Sequence, residues 1–180
     1  MVLLSGNLGY LPTVAAAEFF ADHVWPGVVR RIPGVRWVLA GARPHRRIRR
    51  LARRPGIDLH ADVDDMGAYL ARASVAIAPM ATGSGVAMKV LEAWAAGVPV
   101  IAHPQVAAGL ETAGGTAGVA VAQNADDWLR GVTQLLTETE TAVALAERGH
   151  AIWSANYSRE RVRQAIRDAV VMTRVPAKTS

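Results

Sequence analysis

Six short apolar runs, separated by helix-patterned stretches, recur between Val2 and Val121. They lie at Val2–Ser5, Val35–Ala40, Ile57–His60, Val75–Ala78, Val98–Ala102 and Gly118–Val121. Runs of this length, rich in Val, Ile, Leu and Ala and bounded by Gly, Pro or Asp, read as strands buried on both faces. The first five alternate with segments of helical period: Thr13–Arg31, His45–Arg54, Asp64 or Asp65 to Ala73, and Gly85–Ala96. Such alternation predicts an α/β fold, a Rossmann-like doubly wound parallel sheet of about six strands with helices on both faces. Right-handed crossovers carry every strand's carboxyl end to one edge, where ligands of such sheets bind. The loops at 6–12, 41–44, 61–64, 79–85 and 103–109 therefore come first as candidate ligand contacts.

Local signals set the expected boundaries. Thr13 reads as a helix cap, and Pro26 kinks or splits the helix that follows. Pro33-Gly34 is a turn, Asp64 or Asp65 caps the third helix, and Gly97 stops the fourth. Three closing helices are expected at Ala125–Thr137, Glu140–Ala155 and Arg159–Thr173, with Ala113–Val121 partly a loose Gly/Ala-rich loop. The 180 residues suit one domain, residues 1–175, with 176–180 as a disordered tail.

Several chemistries drop out. The chain has no cysteine, so disulfides, thiolate metal sites and thiol nucleophiles are excluded. His23, His45, His60, His103 and His150 show no ligand spacing, so no metal site is expected. No apolar run nears the roughly 18 residues of a membrane span, and Met1–Leu4 leads straight into Ser5-Gly6-Asn7 without a leader of ordinary length. A soluble, cytoplasmic protein is expected.

The most informative stretch is Pro79–Val100, which reads strand end, Gly-rich loop, helix, Gly-Val-Pro turn, strand. Gly83 and Gly85 let backbone amides approach a ligand, and the next helix points its unpaired N–H groups and positive dipole end at that loop. That is an anion site suited to a diphosphate. Lys89 and Glu92, three residues apart, share a helix face. Glu92 can accept hydrogen bonds from a ribose diol while Lys89 neutralises phosphate charge. Equally, the two can form an ordinary surface pair, and spacing alone does not choose.

The pattern Gly-x-Gly-x-x-x-Lys-x-Leu-Glu-Ala-x-Ala-x-Gly-x-Pro-Val at Gly83–Val100 resembles the signature of family 4 glycosyltransferases, which have the two-domain GT-B fold. Leu4–Ala16 resembles the start of the C-terminal domain in bacterial exopolysaccharide-associated sugar transferases of that family. Val38–Gly41, His60–Asp65, Tyr69–Ala73 and Tyr157-Ser158 fall in the family's order, so the resemblance spans residues 3–173.

The resemblance implies the C-terminal, donor-binding half of a retaining glycosyltransferase. Glu92 would hold the ribose hydroxyls of a nucleoside-diphosphate sugar and Lys89 would lie near the diphosphate. Backbone of Gly83, Ser84 and Gly85 would face diphosphate and sugar. Ala61, Asp62 and Val63 would meet the base through backbone groups, and Gly6 and Asn7 would border the interdomain cleft. It implies no metal and no cofactor beyond the donor, whose base is unassigned, and no catalytic residue is assigned. It also implies an N-terminal acceptor-binding domain outside these residues, so binding with little turnover is expected of the chain alone. Two departures stand out: Ser84 occupies the place of a second acidic residue, and the loop Asn7–Pro12 lacks the family's basic pair.

Charge is uneven. Residues 1–54 carry ten Lys/Arg against two Asp/Glu, the remainder ten against thirteen. The run His45–Arg54 buries Ile48, Leu51 and Ala52 and exposes arginines, read either as a solvated face or as contact with a membrane surface bearing the acceptor. Nucleic acid is disfavoured, since no aromatic residues are interleaved for stacking. Trp25, Trp37, Trp94, Trp128 and Trp153 read as core or interface residues. His103 is weighed as a ligand contact against a plain turn residue. Two rival functions remain: a non-catalytic nucleotide-sugar-binding or interaction module, and part of a GT-B-type sugar-nucleotide epimerase.

Overall fold

The computed structural model describes residues 1–82, 88–110, 115–164 and 167. Six strands form one parallel sheet: β1 (Val2–Asn7), β2 (Trp37–Ala42), β3 (Ile57–Ala61), β4 (Val75–Ala78), β5 (Val100–Ala102) and β6 (Val119–Val121). Their spatial order is β3-β2-β1-β4-β5-β6. The chain thus winds outward from β1 in one direction through β3, then returns to β1's other side and winds the opposite way. The doubly wound expectation is met.

Alternation along the strands explains why helices cover both faces. Val2 and Leu4 of β1 join Trp37, Leu39, Ile77 and Ile101 in one core layer. Leu3 joins Val38, Ala40, Ala76, Ala78 and Val100 in the other. The first layer is closed by α1 (Leu11–Phe19), a π-turn at Phe20–Val24, α2 (Trp25–Arg31), α3 (Arg46–Leu51) and α7 (Ala125–Thr137). Phe20 anchors it, with rings of Trp37 and Trp128 edge-on at 4.7 and 6.0 Å. The second layer is closed by α4 (Met66–Leu70), α5 (Met88–Ala95), α6 (Pro104–Ala108) and α8 (Thr139–Asn156), around a fully buried Trp94 whose indole N–H donates to Gly118 O at 2.9 Å. Trp25, Trp37, Trp94 and Trp128 are all core residues.

Pro26 does split its helix. Lacking an N–H, it cannot continue the ladder, and Trp25 N–H instead donates five residues back to Phe20 O, the π-turn that separates α1 from α2. Thr13 is not a cap: α1 begins at Leu11 after Tyr10, with Pro12 in the first turn, and Thr13 is buried inside it. Proline's preset φ suits a first turn, so the helix starts ahead of Pro12 and takes Thr13 into its interior. Asp65 is the cap of α4, accepting from Gly67 N at 2.8 Å. Gly97 stops α5 at a left-handed φ of 66°.

The region 103–109, expected as loop, contains α6, capped by the His103 ring, whose Nδ1 accepts from Gln105 N at 3.1 Å. Part of the expected loose loop is a 3-10 turn at Gly115–Gly118. Of the expected helix Arg159–Thr173, residues 159–164 and 167 are described, and all are helical. The expected tail lies outside the described residues.

Candidate functional site

All carboxyl ends of the strands lie on one edge, and the winding direction reverses between β1 and β4. Registered pairing of β1 with β4 covers only Val2 with Val75 and Leu3 with Ala76, whereas β1 pairs with β2 through all six residues. Beyond Leu3 the registered pairing of the two central strands stops, at the switch point where sheets of this kind form their ligand crevice.

Lys89, in the first turn of α5, reaches into that crevice. A Cβ built on Gly6, at the end of β1, would lie 3.7 Å from Lys89 Cε and 3.8 Å from Nζ. From the other side, Lys89 Nζ lies 3.4 Å from Met80 Sδ, just past β4. The ammonium therefore spans the two switch-point strands, packed against a bare backbone and a thioether that can offer it little. Burial drives its pKa down to about 8, with Glu92 pulling weakly the other way. Glu92 stands one turn deeper on the same face of α5. Its neighbours Val90, Leu91, Ala93 and Trp94 are buried, but Glu92 is exposed. Partial desolvation raises its carboxyl above the usual value, opposed by Lys89. Among the described residues no carboxylate lies within 4 Å of Lys89 as an ion pair. The pair is thus not a mutual surface bridge but two charges, each with capacity left for a third party.

Gly6 takes φ 109° and Gly41, its register partner on β2, φ 151°. A Cβ on Gly41 would sit 1.8 Å from Gly6 O, so only glycine lets the strands approach there. Asn7 is exposed, and its Oδ1 accepts from Gly9 N at 3.0 Å, turning the chain sharply toward α1. The neighbouring loops are latched. Asp62 N donates to Gly41 O at 2.7 Å, and Asp62 Oδ1 accepts from Arg43 N at 2.8 Å. Both Arg43 and Asp62 sit at left-handed φ, 53° and 52°. Ala61 ends β3, and Val63 packs half-buried on the second core layer.

The structure therefore brings Gly6, Asn7, Lys89 and Glu92 to one crevice, flanked by the Ala61–Val63 loop. Gly83, Ser84 and Gly85 lie outside the described residues. Sequence reasoning missed Met80, Gly41 and the Arg43–Asp62 latch. Gly41 carried a signal: it stands at the same place in its strand as Gly6 in β1, and two facing glycines imply close backbone approach. His103 caps α6 with one ring nitrogen and, half-desolvated, has its pKa lowered. A depression of about 650 Å³ between α2 and α7, lined by Arg31, Asp126, Arg130 and Glu138, includes none of the crevice residues. Among the described residues no three His, Asp or Glu converge as metal ligands, and no helix is long and apolar enough to cross a membrane.

Comparison with known proteins agrees with this fold. Residues 1–138 match the family model "Glycosyl transferases group 1". No curated protein sequence matches. Among solved structures, Anabaena Alr3699/HepE in complex with UDP superposes with a TM-score of 0.73 at 13% identity, over 95% of this chain and 48% of that one. A glycosyltransferase from Rickettsia africae gives 0.73 at 13% identity, over 97% and 48%. The C-terminal domain of LpcC, a group 1 family protein from Francisella tularensis, gives 0.68 at 13% identity, over 88% and 86%. The chain spans about half the length of the first of these, and nearly all of the isolated C-terminal domain.

Proposed function

The chain belongs to the glycosyl transferases group 1 family, and from that premise we propose that its switch-point crevice holds a nucleoside-diphosphate sugar for transfer to an acceptor. The observation that carries this reading is the Lys89 ammonium lodged between β1 and β4, over Gly6, with Glu92 exposed beside it. The binding of UDP and of UDP-glucose by Alr3699/HepE, which shares the fold, supports a nucleotide-sugar ligand.

In the proposed chemistry, the acceptor hydroxyl oxygen bonds to the anomeric carbon as the bond to the diphosphate breaks. The nucleoside diphosphate leaves with the electron pair, and the hydroxyl proton passes to the departing phosphate oxygen. Negative charge grows on the phosphates, where Lys89 would stabilise it in a partly dehydrated site. Glu92 would accept the two ribose hydroxyls and fix the donor's register. The likeness at Gly83–Val100 extends the proposal to family 4 chemistry with retention of configuration, and to amides of Gly83, Ser84 and Gly85 facing the donor. Asn7 would border the cleft, and Ala61–Val63 would meet the base. The acceptor would be held by an N-terminal companion domain, at a membrane surface on the cytoplasmic side, in bacterial exopolysaccharide synthesis.

Titration calorimetry with UDP, GDP and ADP tests the reading. Binding of at least one at millimolar concentration or below is expected, and no heat with any would overturn it. Sugar transfer when the chain is combined with a candidate acceptor domain, lost in Glu92→Ala, separates an enzyme from a binding module.

A further inference from the structure

The arginines of α3 and of the turn that follows it form two stripes with different fates. Arg47, Arg50 and Arg54, spaced i, i+3, i+7, face the first helical layer. Arg47 forks onto Glu18, with Arg50 3.6 Å from the same carboxylate, and Arg54 pairs with Asp22 at 2.7 Å. Those are the only two acidic residues in the first 54, and both are spent there. Arg46, Arg49 and Arg53 repeat the spacing one residue earlier. All three are exposed, and none forms an ion pair among the described residues. Arg46, Arg47, Arg49, Arg50 and Arg53 line a shallow depression of about 570 Å³.

This face adjoins the crevice. The α3 cap, His45, donates its backbone N–H to Leu8 O at 3.2 Å, and Gly9 packs on Arg43 O. The same β1–α1 turn presents Tyr10 and Leu11 to solvent, 50% and 63% exposed. Unpaired guanidinium groups next to an exposed aromatic and an exposed aliphatic side chain are the composition of a lipid interface. The cations meet headgroup phosphates while Tyr and Leu enter the acyl boundary. One tyrosine beside an arginine stripe is not the stacking platform that single-stranded nucleic acid needs.

The geometry points to a docking surface for an anionic lipid bilayer, formed by Arg46, Arg49 and Arg53 with Tyr10 and Leu11. Its purpose, bringing a surface-held acceptor to the mouth of the crevice, rests on the proposed function; its binding does not.

Co-sedimentation of the full chain with vesicles tests it. Binding is expected to vesicles of mixed phosphatidylcholine and phosphatidylglycerol, not to phosphatidylcholine alone, and to weaken as salt rises. Arg46→Gln/Arg49→Gln/Arg53→Gln should lower partitioning roughly a hundredfold. Arg159→Gln/Arg161→Gln/Arg163→Gln, which removes the same charge elsewhere, should lower it far less. UDP titration of the α3 variant should match the wild type, showing a folded chain and separating this result from failure of the donor site. No binding to the acidic vesicles, equal losses in both triple variants, or tighter binding to an oligonucleotide at the same salt would each overturn the proposal.

Discussion

The ammonium of Lys89 lies against the bare backbone of Gly6, within 3.8 Å of where a Cβ would be, at the point where the sheet reverses its winding. A desolvated cation with no carboxylate partner among the described residues costs stability, and such charges cluster where ligands bind. Lys89→Met keeps the length and apolar contacts of the side chain. It should raise stability by roughly 1–2 kcal/mol and weaken UDP binding about ten- to a hundredfold. Thermal unfolding and calorimetry on one sample check both signs. A variant both less stable and unchanged in UDP affinity would contradict the placement.

The same group sets a pH dependence of known sign. Burial lowers the Lys89 pKa from 10.5 to about 8 in the folded chain. At pH 7 the amine is protonated folded or unfolded, and the folded state bears the burial cost. Between about 8 and 10.5 the unfolded chain keeps the proton longer, so this group's contribution to stability becomes more favourable as pH rises through that window. Affinity for a diphosphate moves the opposite way, because the attracting charge is lost. UDP binding should be flat below pH 7 and weaken above about 8, with proton uptake on binding near there. Lys89→Met should abolish this dependence.

Most of the fold was legible because both periods were strong. All six strands were placed from apolar runs, and the expected helix Ala125–Thr137 is observed with those bounds, capped by Asn124, whose Oδ1 accepts from Asp127 N at 3.0 Å. Short elements were less so. Pro104–Ala108 holds one helical turn, too brief for a periodicity, and its cap is a histidine, outside the usual capping residues. In the site, residue type and spacing placed Lys89 and Glu92 on one face, but spacing cannot tell an amine lodged between strands from one in water. Met80 and Gly41 act through contacts far apart in sequence, and those follow only from the strand order.

Glu92 provides a test confined to one part of the ligand. If its carboxylate accepts the ribose diol, Glu92→Ala should weaken UDP binding by about 1.5–3 kcal/mol. Binding of inorganic pyrophosphate should be unchanged or slightly tighter, since a nearby negative charge is removed. Wild type should prefer UDP over its 2′-deoxy form, and the variant should not. Equal losses for UDP and pyrophosphate would assign Glu92 to the electrostatics of Lys89 instead.

Gly41 should tolerate no side chain. At φ 151° its added Cβ would sit 1.8 Å from Gly6 O, a backbone atom that can move only by breaking the β1–β2 register. Gly41→Ala should cost about 3 kcal/mol or more. Gly34, with φ 80° and open space around its missing Cβ, is the control: Gly34→Ala bears conformational strain alone, about 1 kcal/mol. Urea unfolding of the two variants separates close approach from left-handed backbone.

Asp62 separates a positioning role from a binding one. Its Oδ1 holds the Arg43 amide at 2.8 Å while its backbone N–H donates to Gly41 O at 2.7 Å. These two bonds fix the loops beside the switch point. Asn keeps both the acceptor oxygen and the tolerance of left-handed φ; Ala keeps neither. Asp62→Ala should lose about 1–3 kcal/mol of stability and weaken UDP binding several-fold as the loop loosens, whereas Asp62→Asn should restore both. If Asp62→Asn weakens UDP binding as much as Asp62→Ala does while remaining as stable as wild type, the carboxylate charge itself meets the ligand, and the latch is not its purpose.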